Sequence, residues 1–411
     1  MTAAATITRE EALAALASLV DHEHTHIDGD AIRVAPASTD EVAQVLGFAN
    51  EQGLTVLATG SGTKLSWGNC VAPELVLSLE RMNAVREHAW QDLTCTVQAG
   101  CTWNAMQSEL ARHGQFVALD PLWPARATVG GIIAANDSGC WRLRYGSLRD
   151  LVIGMTLVLA DGTIAKTGGK VVKNVAGYDL HKLLIGSFGT LGVVTEVNFR
   201  LHPAEQDVRT WTVIAQDPEE FSSPLRALLH AQIPFSGVQL RASNGVALDI
   251  SICTRPECFD DLENRVRAIF GSLTMTDANP DVWQAREQLF QDNALIVKAS
   301  TLPAEICATA REIVKSAATA SLDVSVVAQA TGLMTIAFRG RDDAVLAQIN
   351  QHRAQLKAKG GSVTVLQMPE TLREKLDAWD CTSDALPMMR EIKRRFDPKR
   401  ILSPGRFVGG I

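Results

Sequence analysis

The sequence predicts an α+β protein built in two parts, and three observations predict it. Over the first half, helix-start signals alternate with short apolar strands, and glycines punctuate the joins. After Pro203 the glycines thin out, and strands follow one another across short turns with helices between them, the pattern of an antiparallel α+β domain. The 411 residues are 46% apolar and 21% charged, long enough to bury substantial cores and too apolar for a disordered chain. The expected boundaries are 1–203 for the first domain, 204–382 for the second, and 383–411 for a C-terminal helix and tail that packs back on the first.

Each element follows from a local signal. Thr8 and Glu11 form a capping box that opens a helix running to about Val20. Ser38 and Glu41 form a second box, whose helix stops at Gly53. Residues 54–58 read as a strand entering a glycine loop, and Thr102 opens a helix that ends at Gly114. Residues 155–160 and 163–166 flank Asp161-Gly162 as a hairpin. Residues 178–185 read as a helix and 193–201 as a strand closed by Pro203. Beyond it, strands are expected at 209–215, 237–241, 246–253, 294–299, 324–329, 334–339 and 362–367, with Asn244-Gly245 turning between the second and third. Helices are expected at 218–231, 259–270, 303–320 and 342–359, and a basic helix at 388–396 precedes Pro398 and Pro404-Gly405.

Several function classes are excluded. A net charge of −7 argues against a protein whose business is nucleic-acid phosphates. The longest uncharged apolar run, 151–160, is half of what a bilayer crossing needs, and the first thirty residues carry Glu10, Glu11 and Asp21 in place of a signal core, so a cytoplasmic chain is expected. The eight cysteines (70, 95, 101, 140, 253, 258, 307, 381) form no C-x-x-C pair, which predicts reduced thiols and no iron–sulfur cluster held by this chain alone. His22-Glu23-His24-Thr25-His26 matches H-E-x-x-H but sits at a helix end without a third ligand and reads as a polar surface turn. Cys253 and Cys258 lack a matching second pair, and no G-x-S-x-G elbow occurs.

The chemistry lies in the glycine-rich stretches. Thr59-Gly60-Ser61-Gly62-Thr63-Lys64 follows a strand, as a phosphate loop should, because glycines let backbone N–H groups close on a pyrophosphate. It is neither G-x-G-x-x-G, since Leu65 stands at the third glycine, nor a Walker loop; alone it reads equally as a plain turn. Ala127-Thr128-Val129-Gly130-Gly131 and the small residues through Asn136 form a second strip, on which a flat ligand could lie and bond main-chain amides. Ser138-Gly139, Arg144-Tyr145-Gly146, Gly168-Gly169-Lys170 and Lys173-Asn174 follow, and Gly186-Ser187-Phe188-Gly189-Thr190-Leu191-Gly192 leads into a strand. One such stretch is explained by tight packing; three together point to a bound dinucleotide.

These residues carry a family resemblance. With Pro36-x-Ser38-x-x-Glu41-Val42 at the entry and Gly189-Thr190-Leu191-Gly192-Val193-Val194-Thr195-Glu196 at the close, residues 30–203 resemble the FAD-binding domain of the vanillyl-alcohol oxidase/p-cresol methylhydroxylase (VAO/PCMH) superfamily. The run from Gly168 to Asp179 resembles its glycolate-oxidase branch, and most nearly the smaller FAD-binding type of subunit there. Phe396-Asp397-Pro398 and Leu402-Ser403-Pro404-Gly405 extend the resemblance, with Ser403 where relatives usually have Asn.

The resemblance implies a two-part FAD domain, an antiparallel α+β cap and a noncovalent FAD, Thr63 standing about where some relatives tether the flavin through His. It places Gly60, Ser61, Gly62, Thr63, Lys64 and Leu65 around the pyrophosphate, with Thr128, Val129, Gly130 and Gly131 opposite. It places Ala135, Asn136, Ser138, Gly139, Arg144, Tyr145 and Gly146 near the ribityl chain and flavin ring, and Val193, Val194 and Thr195 at the adenosine end. Catalytic-type relatives carry an H-x-G-D-x-N cap motif and further His residues that bind a divalent metal; here only His230 and His352 follow His202, neither in that motif and each readable as a helix-surface residue. The resemblance therefore implies an FAD-binding subunit of a glycolate oxidase or dehydrogenase complex, without metal of its own, that works with a larger FAD/metal-type subunit and an iron–sulfur subunit delivering electrons to a quinone. It would bind no nucleic acid and reach the inner membrane only through partners. A self-sufficient dehydrogenase of another small 2-hydroxy acid or alcohol, and a non-catalytic scaffold, are the alternatives. Arg390, Lys393, Arg394 and Arg395 read either as a solvated helix face or as a docking surface for a partner.

Overall fold

A computed structural model describes residues 7–170, 178–204, 207–243, 245–290, 294–380 and 384–411. Lys173, Asn174, Asn244 and Cys381 lie outside the described residues. The chain divides into two compact units. One comprises Met1–Asp137, Ser147–Pro203 and Cys381–Ile411, the other Ser138–Gly146 and Ala204–Asp380.

The first unit holds two sheets. In one, strands Thr25–Asp28, Ala31–Val34, Leu75–Ser78 and Val56–Thr59 lie side by side in that order, the last three mutually parallel. Helices Arg9–Val20 and Thr39–Gln52 bury Leu16, Val42, Val45 and Leu46 against Val34, Val56, Leu75 and Leu77. The Thr8–Glu11 box is complete, but only half of the second forms: Ser38 Oγ accepts from the Glu41 amide at 3.1 Å, while the Glu41 carboxylate accepts from Ala37 N at 2.8 Å; Gly53 ends the helix at φ 74°. The second sheet orders Val85–Ala89, Thr94–Gln98, Val193–Arg200, Val152–Val158 and Ile164–Gly168, every pair antiparallel. The helix after Thr102 is shorter than expected, Trp103–Ala111, and only His181–Leu184 is helical within 178–185.

The C-terminal segment belongs to this unit. Val56 N donates to Ile401 O at 2.7 Å and Ser403 N to Val56 O at 2.8 Å, so residues 401–403 run as a parallel edge beside strand Val56–Thr59. Helix Leu386–Phe396 corrects the reading of its basic residues as one positive surface. Lys393 is only 3% exposed, and its ammonium donates to Asp397 Oδ2 at 2.7 Å and to the carbonyls of Thr190 and Leu402 at 2.8 Å each. Asp397 in turn accepts from the amides of Ile401 and Leu402. Arg394 and Arg395 both bond Glu391, whose carboxyl they hold down at about 2. The sequence shows charge but not which charges meet inside.

In the second unit eight strands form one wholly antiparallel sheet. Their order is Thr274–Asp277, Val208–Ala215, Val246–Cys253, Phe235–Ala242, Asp323–Gln329, Leu333–Arg339, Leu295–Ser300 and Ser362–Gln367. One face buries Trp211, Val213, Leu248, Ile250, Ile336 and Phe338 beneath helices Phe259–Phe270, Ile306–Thr319 and Asp342–Ala358. Strand alternation turns Asp249 to the other face. There it accepts from Thr212 at 2.7 Å, Gln239 at 2.9 Å and both arms of Arg241 at 2.6 and 2.8 Å, so its buried charge is fully bonded. The segment 138–146 belongs here because the Ser138 carbonyl accepts from Arg286 and Gln329, Leu143 packs on the core, and Gly237 leaves room for Cys140. His230 is exposed, but His352 is no surface residue: it is buried, bonded to Ser316 Oγ at 3.2 Å and Gln355 Oε1 at 3.1 Å, and stacked on Phe338.

Two outcomes are expected. Lys393→Met leaves Asp397 charged in a buried site and should cost roughly 3–5 kcal/mol in urea unfolding, whereas Arg394→Met should leave the midpoint unchanged. Burial pushes the His352 imidazole below its usual 6.5, so its neutral form stabilises the fold fully above that value, and the contribution is lost as pH falls through the lowered one. Thermal unfolding at about pH 7 and about pH 5 should therefore show a smaller acid loss in His352→Gln than in the parent.

Candidate functional site

Strand Val56–Thr59 delivers the chain into the loop 60–65, which closes as successive turns. Gly62 sits at φ +77°, Leu65 N donates to Gly62 O at 3.1 Å, and Trp67 N donates to Lys64 O at 3.2 Å. Among the described residues, the amides of Ser61, Gly62 and Thr63 donate to no acceptor of the chain. Opposite stands the short helix Val129–Ala135, started by Thr128, whose Oγ1 accepts from Gly131 N at 3.3 Å. The two walls touch: a Cβ on Gly60 would lie 2.2 Å from Thr128 Oγ1. A third wall is the turn around Phe188, held at φ +55° between Gly186 and Gly189 at +81° and +74°.

These walls line an open groove of about 770 Å³, its solvent-filled mouth included, and among the described residues its lining includes no Asp or Glu. Two cations border it, and both are anchored from behind. Lys64 is 6% exposed, 3.4 Å from Asp137 and 5.2 to 5.6 Å from the rings of Trp123 and Trp67. Arg406 is equally buried, and its Nη2 donates to the carbonyl of Lys64 at 3.1 Å and to those of Leu65 and Trp67 at 3.5 Å each. Burial pushes its guanidinium down to about 10, which still leaves it charged at neutral pH.

The structure gathers Gly60, Ser61, Gly62, Thr63, Lys64, Leu65, Thr128, Gly130, Gly131, Ala135, Val193 and Val194 around this one groove. Others fall elsewhere. Val129 is wholly buried in the core, and Thr195 accepts from the Thr39 hydroxyl and donates to Thr156 O inside the unit. Ser138, Gly139, Arg144, Tyr145 and Gly146 belong to the second unit, where the Arg144 guanidinium lies over the Tyr145 ring. The expectation that the strip after Thr128 offers main-chain amides is corrected: Val129 N bonds Cys101 O, Gly130 N bonds Ala99 O and Gly131 N bonds Thr128. What it contributes is smallness, since a Cβ on Gly130 would come 3.0 Å from Ala99 Cβ. Sequence reasoning missed Phe188 and Arg406 as lining residues; the signal for Arg406 was its place directly after Pro404-Gly405.

The fit to FAD can be judged on these features. Three amides without acceptors and walls free of carboxylates among the described residues suit a pyrophosphate, whose negative charges a lining carboxylate would repel. Asn136 Oδ1 is also buried with no partner among the described residues, so an acceptor is left over at the end of the helix. Gly60→Ala should separate loop and helix: such overpacking costs typically about 1–3 kcal/mol. The expected result is a folded protein whose FAD affinity, measured by quenching of flavin fluorescence, falls at least about tenfold.

Comparisons with known proteins point to FAD-linked oxidoreductases. A sequence family described as FAD binding domain matches residues 31–168, and one described as FAD linked oxidases, C-terminal domain, matches residues 380–407. The glycolate oxidase subunit GlcD of Bacillus subtilis is 28% identical over 417 residues, spanning 91% of this chain and 88% of that protein. A D-lactate dehydrogenase of Archaeoglobus fulgidus is 28% identical over 418 residues, covering 91% and 90%. The crystal structure of p-cresol methylhydroxylase with substrate bound superposes at a TM-score of 0.74 and 15% identity, covering 97% of this chain and 96% of that one. The chain thus carries an FAD binding domain, has the VAO/PCMH-type fold, and takes FAD as its cofactor.

Proposed function

We propose that the chain is an FAD-binding subunit of a complex that oxidises glycolate, or a closely related 2-hydroxy acid, to the 2-oxo acid. The observation that carries this reading is similarity to a glycolate oxidase subunit along 91% of the chain. Noncovalently bound FAD would supply the two-electron acceptor for the hydride lost from the carbon bearing the hydroxyl, the hydroxyl proton leaving to a base. The chain's own residues would hold the cofactor: Ser61, Gly62 and Thr63 through their amides, Thr128 and Gly131 as the facing wall, and Val193 and Val194 along the groove. Near the flavin ring, the proposal assigns Asn136, Ser138, Gly139, Arg144, Tyr145 and Gly146.

Two sequence features support dependence on partners. The chain has no cysteine cluster for an iron–sulfur centre and no H-x-G-D-x-N motif. Its buried His352 is committed to Ser316, Gln355 and Phe338. The proposal therefore gives glycolate binding to a larger flavoprotein subunit, and onward transfer to an iron–sulfur subunit and a quinone-type acceptor, with any membrane association made by those partners. The similarity to a D-lactate dehydrogenase over nearly the same span favours a second reading, a self-sufficient 2-hydroxy-acid dehydrogenase.

Anaerobic visible spectra separate the two. Flavin bands of the purified chain should stay oxidised with glycolate or D-lactate and bleach once the larger subunit is added. Bleaching by either acid without partners would establish the self-sufficient enzyme. A chain that binds FAD and assembles with the larger subunit, yet never bleaches during turnover, would be a scaffold.

A further inference from the structure

The groove is completed by a residue far from it in sequence. Arg406 lies 342 residues beyond Lys64, yet its Nη2 reaches the carbonyls of Lys64, Leu65 and Trp67, the turn that leaves the glycine loop. Its own carbonyl accepts from Asn69 N at 3.0 Å, so side chain and main chain of one residue grip both ends of the 64–69 turn. The guanidinium also lies 5.8 Å from the centroid of Phe188, which Phe407 stacks at 6.0 Å. Three residues upstream, Ser403 N bonds Val56 O on the strand that feeds the loop. The segment 401–407 thus touches the strand before the loop, the turn after it and the third wall of the groove.

We propose that Arg406 is a positioning residue for the cofactor: by pinning the carbonyls of the 64–67 turn it holds the glycine loop in the conformation that leaves the Ser61, Gly62 and Thr63 amides available to the pyrophosphate. This rests on the groove being the pyrophosphate site. The reason is conformational. Each peptide unit is planar, so fixing the Lys64 carbonyl fixes the Leu65 amide; that amide bonds Gly62 O at 3.1 Å, and the Gly62 carbonyl shares its plane with the Thr63 amide. A short glycine-bearing loop has little else to choose among its conformers, and glycine lowers the resistance to all of them. A planar fork with several donors can hold several carbonyls at once, which an apolar side chain cannot. Coupling of this kind is reciprocal: if the segment around Arg406 orders the loop for FAD, FAD must stabilise that segment on its strand.

The test uses the full chain freed of flavin, with FAD and ADP as probes, and compares the parent with Arg406→Met, Arg406→Lys and Gly60→Ala. Flavin-fluorescence quenching gives FAD affinity, competition gives ADP affinity, and hydrogen exchange follows the Val56 and Ser403 amides. Arg406→Met should weaken both ligands by roughly 10- to 100-fold. Arg406→Lys, with charge but no fork, should fall between parent and Met. FAD should slow exchange at both amides in the parent and cease to do so in Arg406→Met, a readout that a merely destabilised fold would not reproduce, since it compares each variant with and without ligand. If Arg406→Met fails to fold, the Lys variant carries the same comparison. Unchanged FAD and ADP affinity in a folded Arg406 variant, with Gly60→Ala impaired, would overturn the role of Arg406 and leave the site standing. Parent-like affinity in Gly60→Ala as well would show instead that the pyrophosphate lies elsewhere.

Discussion

The first unit depends on a contact that no side chain at position 60 would permit. The Gly60 backbone rests on the Thr128 side chain with no room for a methyl group between them. Everything that makes the groove follows from this approach. The strand Val56–Thr59 must point at the start of the helix Val129–Ala135, and that helix must sit low on Ala99, which Gly130 allows. Only then do loop, helix and the Phe188 turn come near enough to enclose a ligand on three sides. The glycines of the first half are therefore of different kinds. Gly60 and Gly130 answer to close packing, Gly62 and Gly189 to left-handed backbone, and neither kind is by itself a phosphate contact.

Charge is arranged with the same economy. The chain is acidic by seven charges, yet among the described residues its groove is lined by no carboxylate. The two cations at its edge are held differently. Lys64 meets Asp137 and two indoles, and Arg406 donates to the carbonyls of Lys64, Leu65 and Trp67.

How much of this was legible in the sequence depended on the range of the interaction. The capping box at Thr8, the Ser38 cap and the hairpin at Asp161-Gly162 are settled by residues within a few positions, although Glu41 closes on the Ala37 amide instead of completing a second box. The glycine loop and the strip after Thr128 could be located, but not what their amides do, because those of 129 and 130 are taken by Cys101 and Ala99 in another strand's wake. Lys393 looked like one of four helix-surface cations because its carbonyl partners, Thr190 and Leu402, are invisible to helical periodicity. His352 was read as a surface residue for a similar reason: the helix it sits on is amphipathic only weakly, and the face it buries is set by Ser316 and Phe338 on other elements. The antiparallel second unit was legible because strand alternation and turns are local, while the transfer of 138–146 into it depends on Arg286 and Gln329.

The pairing of Val56 with Ile401 has a consequence for how the molecule is made. The whole of 204–380 is threaded between the two strands that must meet, so the edge beside Val56–Thr59 closes one of the longest loops in the chain. Contacts of such high sequence separation form late, since their closure entropy must be met before they return any stability. Flavin capture should therefore be among the final events of folding, with its rate set by the intervening domain. Slow folding anywhere in that eight-stranded sheet would register as delayed acquisition of colour.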